Sequence, residues 1–550
     1  MGFQVTGEAY QQRKNIVLDG HSLTIADIVI AARGTQEVSY LLTAEALQTI
    51  EASNALKHEL VSKEQPIYGV TTGFGDSCKR QISSVKAPLL QKNLIHFLMN
   101  GTGTIAPKDI ARATMLIRAK CLARGHSAVH PEIIRRFLLY LNYDIIPLIP
   151  VRGSVGASGD LVPHSYLAAA LIGEGEVWYK DEIRSACDVL AERGLEPLTL
   201  EAKEGLALLN GTSFMSAFAC LACWDAMELG ILADVCTAMA SEALRGNRGH
   251  FAAFIHEQKP HKGQITSAHL IAQLLQASQL SLDSQQILNR EPHWQHRNYQ
   301  ELDHPVQDKY SIRCAPQITG VLYDTLDWVQ KWVEIEVNSS NDNPLFDAEQ
   351  RCVHNGGNFY GGHIVQAMDA LKVAVANIAD LLDRQLELIV DEKFNNGLSP
   401  NLIRPVQESD FEAGLHHGFK GMQLACSAMT AEALKMSGPM SIFSRSTEAH
   451  NQDKVSMGSI AAREACAIVE LVQNVTAIHL IALCQALELR GSEKMSPRTF
   501  TIYELVRSRV PFVERDRRMD RDIEQVVELV RAGAFGVSVR GGRFDLTVIR

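Results

Sequence analysis

What most limits the fold of this chain is the length of its uninterrupted helix-forming stretches. Met457 to Leu489 has no proline and one glycine, Gly458, near its start; Thr212 to Leu244 is similar, interrupted only at Gly230. From Ile364 onward, Met368, Leu371, Val375, Ile378, Leu382, Leu386 and Ile389 recur every three or four residues, the period of one helix face. These patterns predict helices of roughly 30 residues, about 45 Å long at 1.5 Å per residue. Helices of that length bury their apolar faces on each other, so the expected fold class is mainly α, a long-helix bundle. Few segments alternate like strands. Gly175 to Tyr179 followed by Lys180 and Asp181 reads as a hairpin, and Gly536-Val537-Ser538-Val539 is ambiguous.

Three regions are expected: a smaller loop-rich region 1–210 of short helices and glycine-rich loops, the long-helix bundle 211–490, and a charged, partly helical tail 491–550. No internal repeat or low-complexity linker separates them, so they are expected to act as one unit. In the tail, Glu514-Arg515-Asp516-Arg517-Arg518 reads as a solvated helix face. Over 550 residues the hydrophobic fraction of 46% supports a large core, and a net charge of -10 argues against a nucleic-acid partner. The polar N-terminus lacks a secretory apolar segment, and no uninterrupted apolar run of ~18 residues predicts a membrane span. The 11 cysteines are odd in number and scattered through apolar helical stretches. They read as buried reduced thiols of a cytoplasmic protein.

Chemistry points first to Gly153-Ser154-Val155-Gly156-Ala157-Ser158-Gly159-Asp160. Three glycines let the backbone approach its neighbours closely, and the helix expected just beyond aims N–H groups and a positive dipole end back at Ser158. The spacing fits neither phosphate-binding glycine signature, and Asp160 stands where a nucleophile elbow needs glycine.

Other stretches are less specific alone. Tyr68-Gly69-Val70-Thr71-Thr72-Gly73-Phe74-Gly75 predicts a mobile loop with a tyrosine that either packs or serves a site. Asn210-Gly211-Thr212 is a turn before a long helix, suited to capping. Tyr310 and Arg313 share a helix face, and the apolar flanks of Arg313 call for an anionic partner, which its planar guanidinium can bind in bidentate fashion. Asn338 to Pro344 is a turn after a helix. The 19 histidines, densest at His416-His417, His250 with His256, and His261, show no compact metal-ligand spacing, and no metal is expected.

Together these segments resemble the aromatic amino acid ammonia-lyases and related aminomutases. The match at residues 153–163 is residue for residue, and it extends in family order over about residues 20 to 530. The resemblance implies that Ala157, Ser158 and Gly159 cyclise with loss of water into 4-methylideneimidazol-5-one (MIO), an electrophile that no standard side chain provides. It implies that Tyr68 removes the substrate's β-proton, which requires a nearby positive field to favour the phenolate. Asn210 would hold the electrophile's carbonyl oxygen. Arg313 would clamp the substrate carboxylate, with Tyr310 and Gln307 lining the site and Asn343 assisting. Phe359 is placed near the ring; Lys420, Glu448, Asn451 and Gln452 are polar site positions, Glu448 a partner for the substrate ammonium. A homotetramer with sites shared between subunits is implied, with no metal and no nucleotide. His164 departs from the family pattern, where leucine is more usual, and is expected to alter pH dependence or ring formation.

The pair Phe97-Leu98, in Asn93-Leu94-Ile95-His96-Phe97-Leu98, stands where the family faces the substrate side chain. An apolar pair favours phenylalanine, because a tyrosine hydroxyl left without a partner costs roughly 1–3 kcal/mol; His96 turned inward would soften that preference. The expected reaction is elimination of ammonia from L-phenylalanine to trans-cinnamate. The rivals are tyrosine or histidine ammonia-lyase, an aromatic 2,3-aminomutase, and a noncatalytic helical scaffold.

Overall fold

The computed structural model describes residues 14–34, 38–288, 298–302 and 305–536. The polar N-terminal residues 1–13 and the ambiguous Val537-Ser538-Val539 lie outside them. Eight helices position the site: α1 (Ala87–Leu98), α2 (Lys108–Ala123), α3 (Leu161–Leu171), α4 (Ser213–Ala243), α5 (Ala315–Val337), α6 (Gly362–Val390), α7 (Lys420–Met436) and α8 (Gly458–Arg490). The three longest, α4, α6 and α8, match the proline-free or periodic stretches of the sequence to within a residue or two. Helix α8 lies along both α4 and α6, with α5 and α7 completing the bundle and α2 packed on α4.

Helix α4 is buried along most of its length, with Cys220, Cys223 and Cys236 fully buried, as befits the centre of a bundle. Helices α4 and α8 are also long and apolar enough to cross a bilayer, but most of each is buried inside the protein. One continuous core runs from Ile16 to Phe535.

Strands are short. Glu176–Tyr179 and Glu182–Ser185 form the expected antiparallel hairpin, turned by Lys180 and Asp181 at φ 52° and 61°. The charged run 514–518 is not helical. Its alternating signs pair it with a neighbouring loop instead: Arg515 meets Glu412 at 2.7 Å, and Asp516 accepts the N–H groups of His417 and Gly418 at 2.8 and 2.9 Å.

Candidate active site

Ala157, Ser158 and Gly159 form a tight turn just before α3. Gly153, Gly156 and Gly159 have φ of 132°, 77° and 82°, and Ser158 has 51°, a left-handed conformation that costs a non-glycine residue about 1–2 kcal/mol. The Gly211 N–H donates to Ser158 O at 3.0 Å, and the Asp160 N–H donates to Gly211 O at 2.7 Å. Only glycine fits this contact: a Cβ on residue 159 would sit 2.0 Å from Gly211 O.

Asp160, fully buried, ties the turn to the bundle. Its carboxylate accepts from Ser459 Oγ at 2.6 Å, Ser154 Oγ at 3.2 Å and the Met215 N–H in the first turn of α4 at 2.8 Å. Burial nevertheless pushes its pKa up to about 6, against the pull of those bonds. The turn fits a group closed between Ala157 and Gly159, because the Ser158 carbonyl has a fixed donor and none of these bonds uses the Gly159 nitrogen.

A cavity of about 250 Å³ opens on Ala157 and Ser158. Tyr68, Phe97, Leu98, Asn210, Asn343 and Phe359 line it, with Glu448, Asn451 and Gln452 at one edge. Gln452 Nε2 donates to Ser158 Oγ at 3.4 Å. Glu448, Ala449 and His450 make a left-handed turn at φ 53°, 51° and 65°, the kind of strain that a site retains when its surroundings fix it. The Glu448 carboxylate accepts from the Asp76 N–H at 3.2 Å and from Asn451 Nδ2 at 2.9 Å. Phe97 is 60% exposed in the single chain. His96 is turned to Glu174 at 2.6 Å and does not line the cavity.

Three expectations change. Tyr68 OH accepts the Gly75 N–H at 3.0 Å, yet its pKa is raised, first by burial and further by the Glu448 carboxylate. The field at the phenol therefore opposes the phenolate. Asn210 does not reach the carbonyl of the turn; its Nδ2 donates to Asn343 O at 2.8 Å and Asp342 Oδ1 at 3.2 Å, while Gly211 serves Ser158 O. The shorter route from the backbone wins because Asp342, paired with Lys203 at 2.7 Å and fully buried with it, captures the amide. His164 is buried, with Nδ1–H donating to Leu209 O at 2.9 Å. Burial and then the charge of Arg118 lower its pKa to about 3, so its titration does not shape a pH profile near neutrality.

Four expected residues lie away from the cavity of one chain. Gln307 lines a separate cleft with Lys309 and Phe394. Tyr310 is 71% exposed, with the Arg313 guanidinium 4.4 Å over its ring, and Arg313 Nε donates to Asp308 O at 3.0 Å. Lys420 is exposed at the start of α7. The sequence reading also missed cavity residues: Leu94, Leu206, Tyr360 and Lys454. Leu94 shared the segment that yielded Phe97-Leu98, but nothing local marked Leu206. The noted histidines are engaged locally, His250 by the Asp308 N–H and His256 by His250 O. One trio not singled out from sequence, Asp347, Cys352 and His354, brings potential ligand atoms within 4.8 Å on a hairpin, and none of the three lines the cavity.

Comparison with known proteins places this bundle, with its turn, tyrosine and carboxylate on one cavity, among the carbon–nitrogen lyases. The model of the aromatic amino acid lyase family matches residues 23–508, and the chain belongs to that family. A histidine ammonia-lyase of Gloeobacter violaceus is 38% identical over 532 residues, covering 96% of this chain and 99% of that protein. A tyrosine ammonia-lyase of Cupriavidus metallidurans is 38% identical over 533 residues, covering 96% and 98%. Among solved structures, the tyrosine aminomutase of Streptomyces globisporus superposes with a TM-score of 0.89 at 36% identity, covering 96% of this chain and 98% of that one.

Proposed function

We propose that the chain eliminates ammonia from L-phenylalanine to give trans-cinnamate. The observation that carries this reading is one cavity that joins the Ala157-Ser158 turn to Tyr68 and to an apolar wall of Leu94, Phe97, Leu98 and Leu206. A phenyl ring fills such a wall. A phenol or imidazole meets no partner on it, a loss of roughly 1–3 kcal/mol for an unpaired buried group.

In this reading Ala157, Ser158 and Gly159 form MIO, held by Gly211 through Ser158 O and by Asp160 through Ser459 and Met215. When present, it supplies an electrophilic alkene that activates the amine as a leaving group. Tyr68, whose phenol is held protonated, first releases that proton to solvent and then, as the phenolate, takes the β-proton. Glu448, facing the same cavity, accepts hydrogen bonds from the substrate ammonium. Asn343 and Gln452 orient the substrate, with Phe359 against the ring and Asn451 fixing the Glu448 carboxylate. Arg313 binds the substrate carboxylate, with Tyr310, Gln307 and Lys420, in the site of a neighbouring subunit of a homotetramer; their exposure outside the cavity of a single chain supports that assignment. Eleven free thiols support a cytoplasmic setting. The loop-rich 1–210, bundle 211–490 and tail 491–550 remain our division of the chain.

A second reading has support of its own. The two ammonia-lyase relatives are named for histidine and tyrosine, and the solved structure is an aminomutase, so tyrosine or histidine ammonia-lyase or 2,3-aminomutase activity is the alternative. Near-UV absorbance of the enzyme with L-phenylalanine, L-tyrosine and L-histidine separates the lyase substrates, and chromatography for a β-amino acid detects the mutase. A cinnamate band with phenylalanine alone establishes the main reading. Turnover only of tyrosine or histidine, or a β-amino acid as main product, replaces it.

A further inference from the structure

Beneath the turn lies a residue to which no role has yet been given. Arg118, on α2, is fully buried, and its Nη1 donates to Asn210 O. Its Nε and Nη2 are buried without hydrogen-bond partners, and among the described residues no carboxylate pairs with it. A buried charge is normally paired, because leaving it unpaired costs several kcal/mol. Here the one hydrogen bond that the guanidinium donates goes to a single peptide group, Asn210-Gly211.

That peptide is the one that holds the turn. Its carbonyl accepts from Arg118, and its N–H donates to Ser158 O at 3.0 Å. A charge-assisted bond to the carbonyl draws electron density from the amide and makes the N–H a stronger donor, since bonded amides polarise one another by perhaps 10–30% per link. Contact is close: a Cβ on Gly211 would lie 2.3 Å from Arg118 Nη1 and 2.8 Å from Asn341 O, so Gly211, at φ 127°, is pressed against the guanidinium. His164 works beside it. By donating to Leu209 O, it satisfies the carbonyl preceding that of Asn210, so the last carbonyl of the helix Glu204–Leu209 and that of its C-cap Asn210 both have side-chain donors.

We infer that Arg118 is a positioning residue of the electrophile. It polarises the Asn210-Gly211 peptide so that the Gly211 N–H withdraws charge through the Ser158 carbonyl, the oxygen that becomes the carbonyl of MIO. The inference rests on the proposed MIO reading and adds a residue that never touches substrate.

The test compares Arg118→Lys, which keeps charge and donor, with Arg118→Gln, which keeps a donor and loses the charge. Each tetrameric variant is followed by intact mass for loss of water at the turn, by the position of the MIO near-UV band, by thermal melting and by kcat and KM on the substrate found above. Direct loss of an oxyanion donor costs roughly 10²–10³ in kcat, and weakening it at one remove about tenfold. The expected result for Arg118→Gln is a matured turn, a shifted band and a kcat about tenfold lower at near-constant KM; Arg118→Lys keeps the band and stays within about threefold. A folded, matured Arg118→Gln enzyme with the parent band and kcat overturns the inference. So does an Arg118→Lys enzyme that loses kcat as fully as Arg118→Gln while its band stays in place. If Arg118→Gln does not fold, Arg118→Lys decides alone: a parent band with kcat retained supports the inference, and a parent band with kcat lost refutes it. A wild-type protein with neither mass loss nor a band removes the MIO reading itself, a failure distinct from that of Arg118.

Discussion

Gly159→Ala tests the turn most directly. A carbon and a carbonyl oxygen in van der Waals contact stand more than 3 Å apart, yet the new Cβ starts 2.0 Å from Gly211 O. The turn must therefore move by about 1 Å, which breaks both the 3.0 Å bond to Ser158 O and the 2.7 Å bond from the Asp160 N–H. Losing these two buried backbone hydrogen bonds costs roughly 1–3 kcal/mol per bond, and a φ of 82° adds about 1–2 kcal/mol for a residue with a side chain. The sum, about 3–8 kcal/mol, far exceeds the strain that the parent turn carries, so the variant escapes by opening the turn. The bundle core lies elsewhere and keeps the protein folded. Intact mass should then show a chain that has lost no water, with no MIO band and no turnover. Gly194→Ala is the control: it shares a positive φ, 66°, but meets nothing within 4 Å, so it should mature normally. A Gly159→Ala protein that loses water and absorbs like the parent would refute the argument from contact.

Three further outcomes follow from the same geometry. Tyr68→Phe should lower kcat by about 10²–10⁴ with little loss of stability. Since burial and Glu448 hold the phenol above its usual pKa, the rate of the parent should still be rising above pH 8. Glu448→Gln should shift that limb to lower pH, and an upward shift in the pH–rate profile would contradict this. Leu98→His gives a phenol a partner, so the ratio of kcat/KM for tyrosine over phenylalanine should rise roughly 5- to 150-fold, from about 1–3 kcal/mol; an unchanged ratio removes Leu98 from specificity. Finally, Asp160 binds its proton more tightly folded, at about 6, than at its ordinary 3.8. Its contribution to stability is fully present below about pH 4 and is lost as pH rises through about 6, a cost of about 3 kcal/mol at about 1.4 kcal/mol per unit. Denaturant unfolding from pH 4 to 7 should show this fall in the parent relative to Asp160→Asn, and parallel curves would show that the carboxyl is not so perturbed.

The long helices were legible because their signal is local and repeated. Each turn of α6 restates the same face, and no proline interrupts α8, so helix ends were located to within a residue or two. The Ser158 turn was legible for a different reason: its glycines alone read as an ordinary loop, and the residue-for-residue resemblance at 153–163 marked it. What stayed hidden depends on partners far along the chain. Asn210 has the composition of a cap, and nothing near it reveals that Asp342 and Asn343, more than 130 residues on, take its amide. Tyr68 and Glu448 were both expected at the site, but not that the carboxylate would lie close enough to oppose the phenolate. Arg118 and Lys120 read as charges on the solvated surface of a helix, but both are fully buried. Only the run Met115-Leu116-Ile117 before Arg118 and Cys121-Leu122-Ala123 after Lys120 hinted at that.

The four residues outside the cavity carry the last step. A phenol 71% exposed with a guanidinium stacked on it makes little sense as a solvated surface, because stacking leaves the guanidinium edge free to donate and no carboxylate meets Arg313 among the described residues. A substrate carboxylate would complete it. The cavity, in turn, has Phe97 projecting from one wall at 60% exposure, a large ring that gains nothing in water. Each half lacks what the other offers. Covering Phe97 would remove apolar area worth about 25 cal/mol per Å², and bringing Arg313 to the cavity mouth would offer the substrate carboxylate a planar guanidinium, a bidentate partner that Lys454 in the cavity cannot be. In the proposed homotetramer a neighbouring subunit would do both. The concentration dependence of activity on dilution through the dissociation range of the assembly decides it: specific activity that falls as the assembly dissociates supports shared sites, and full activity in the isolated chain rules them out.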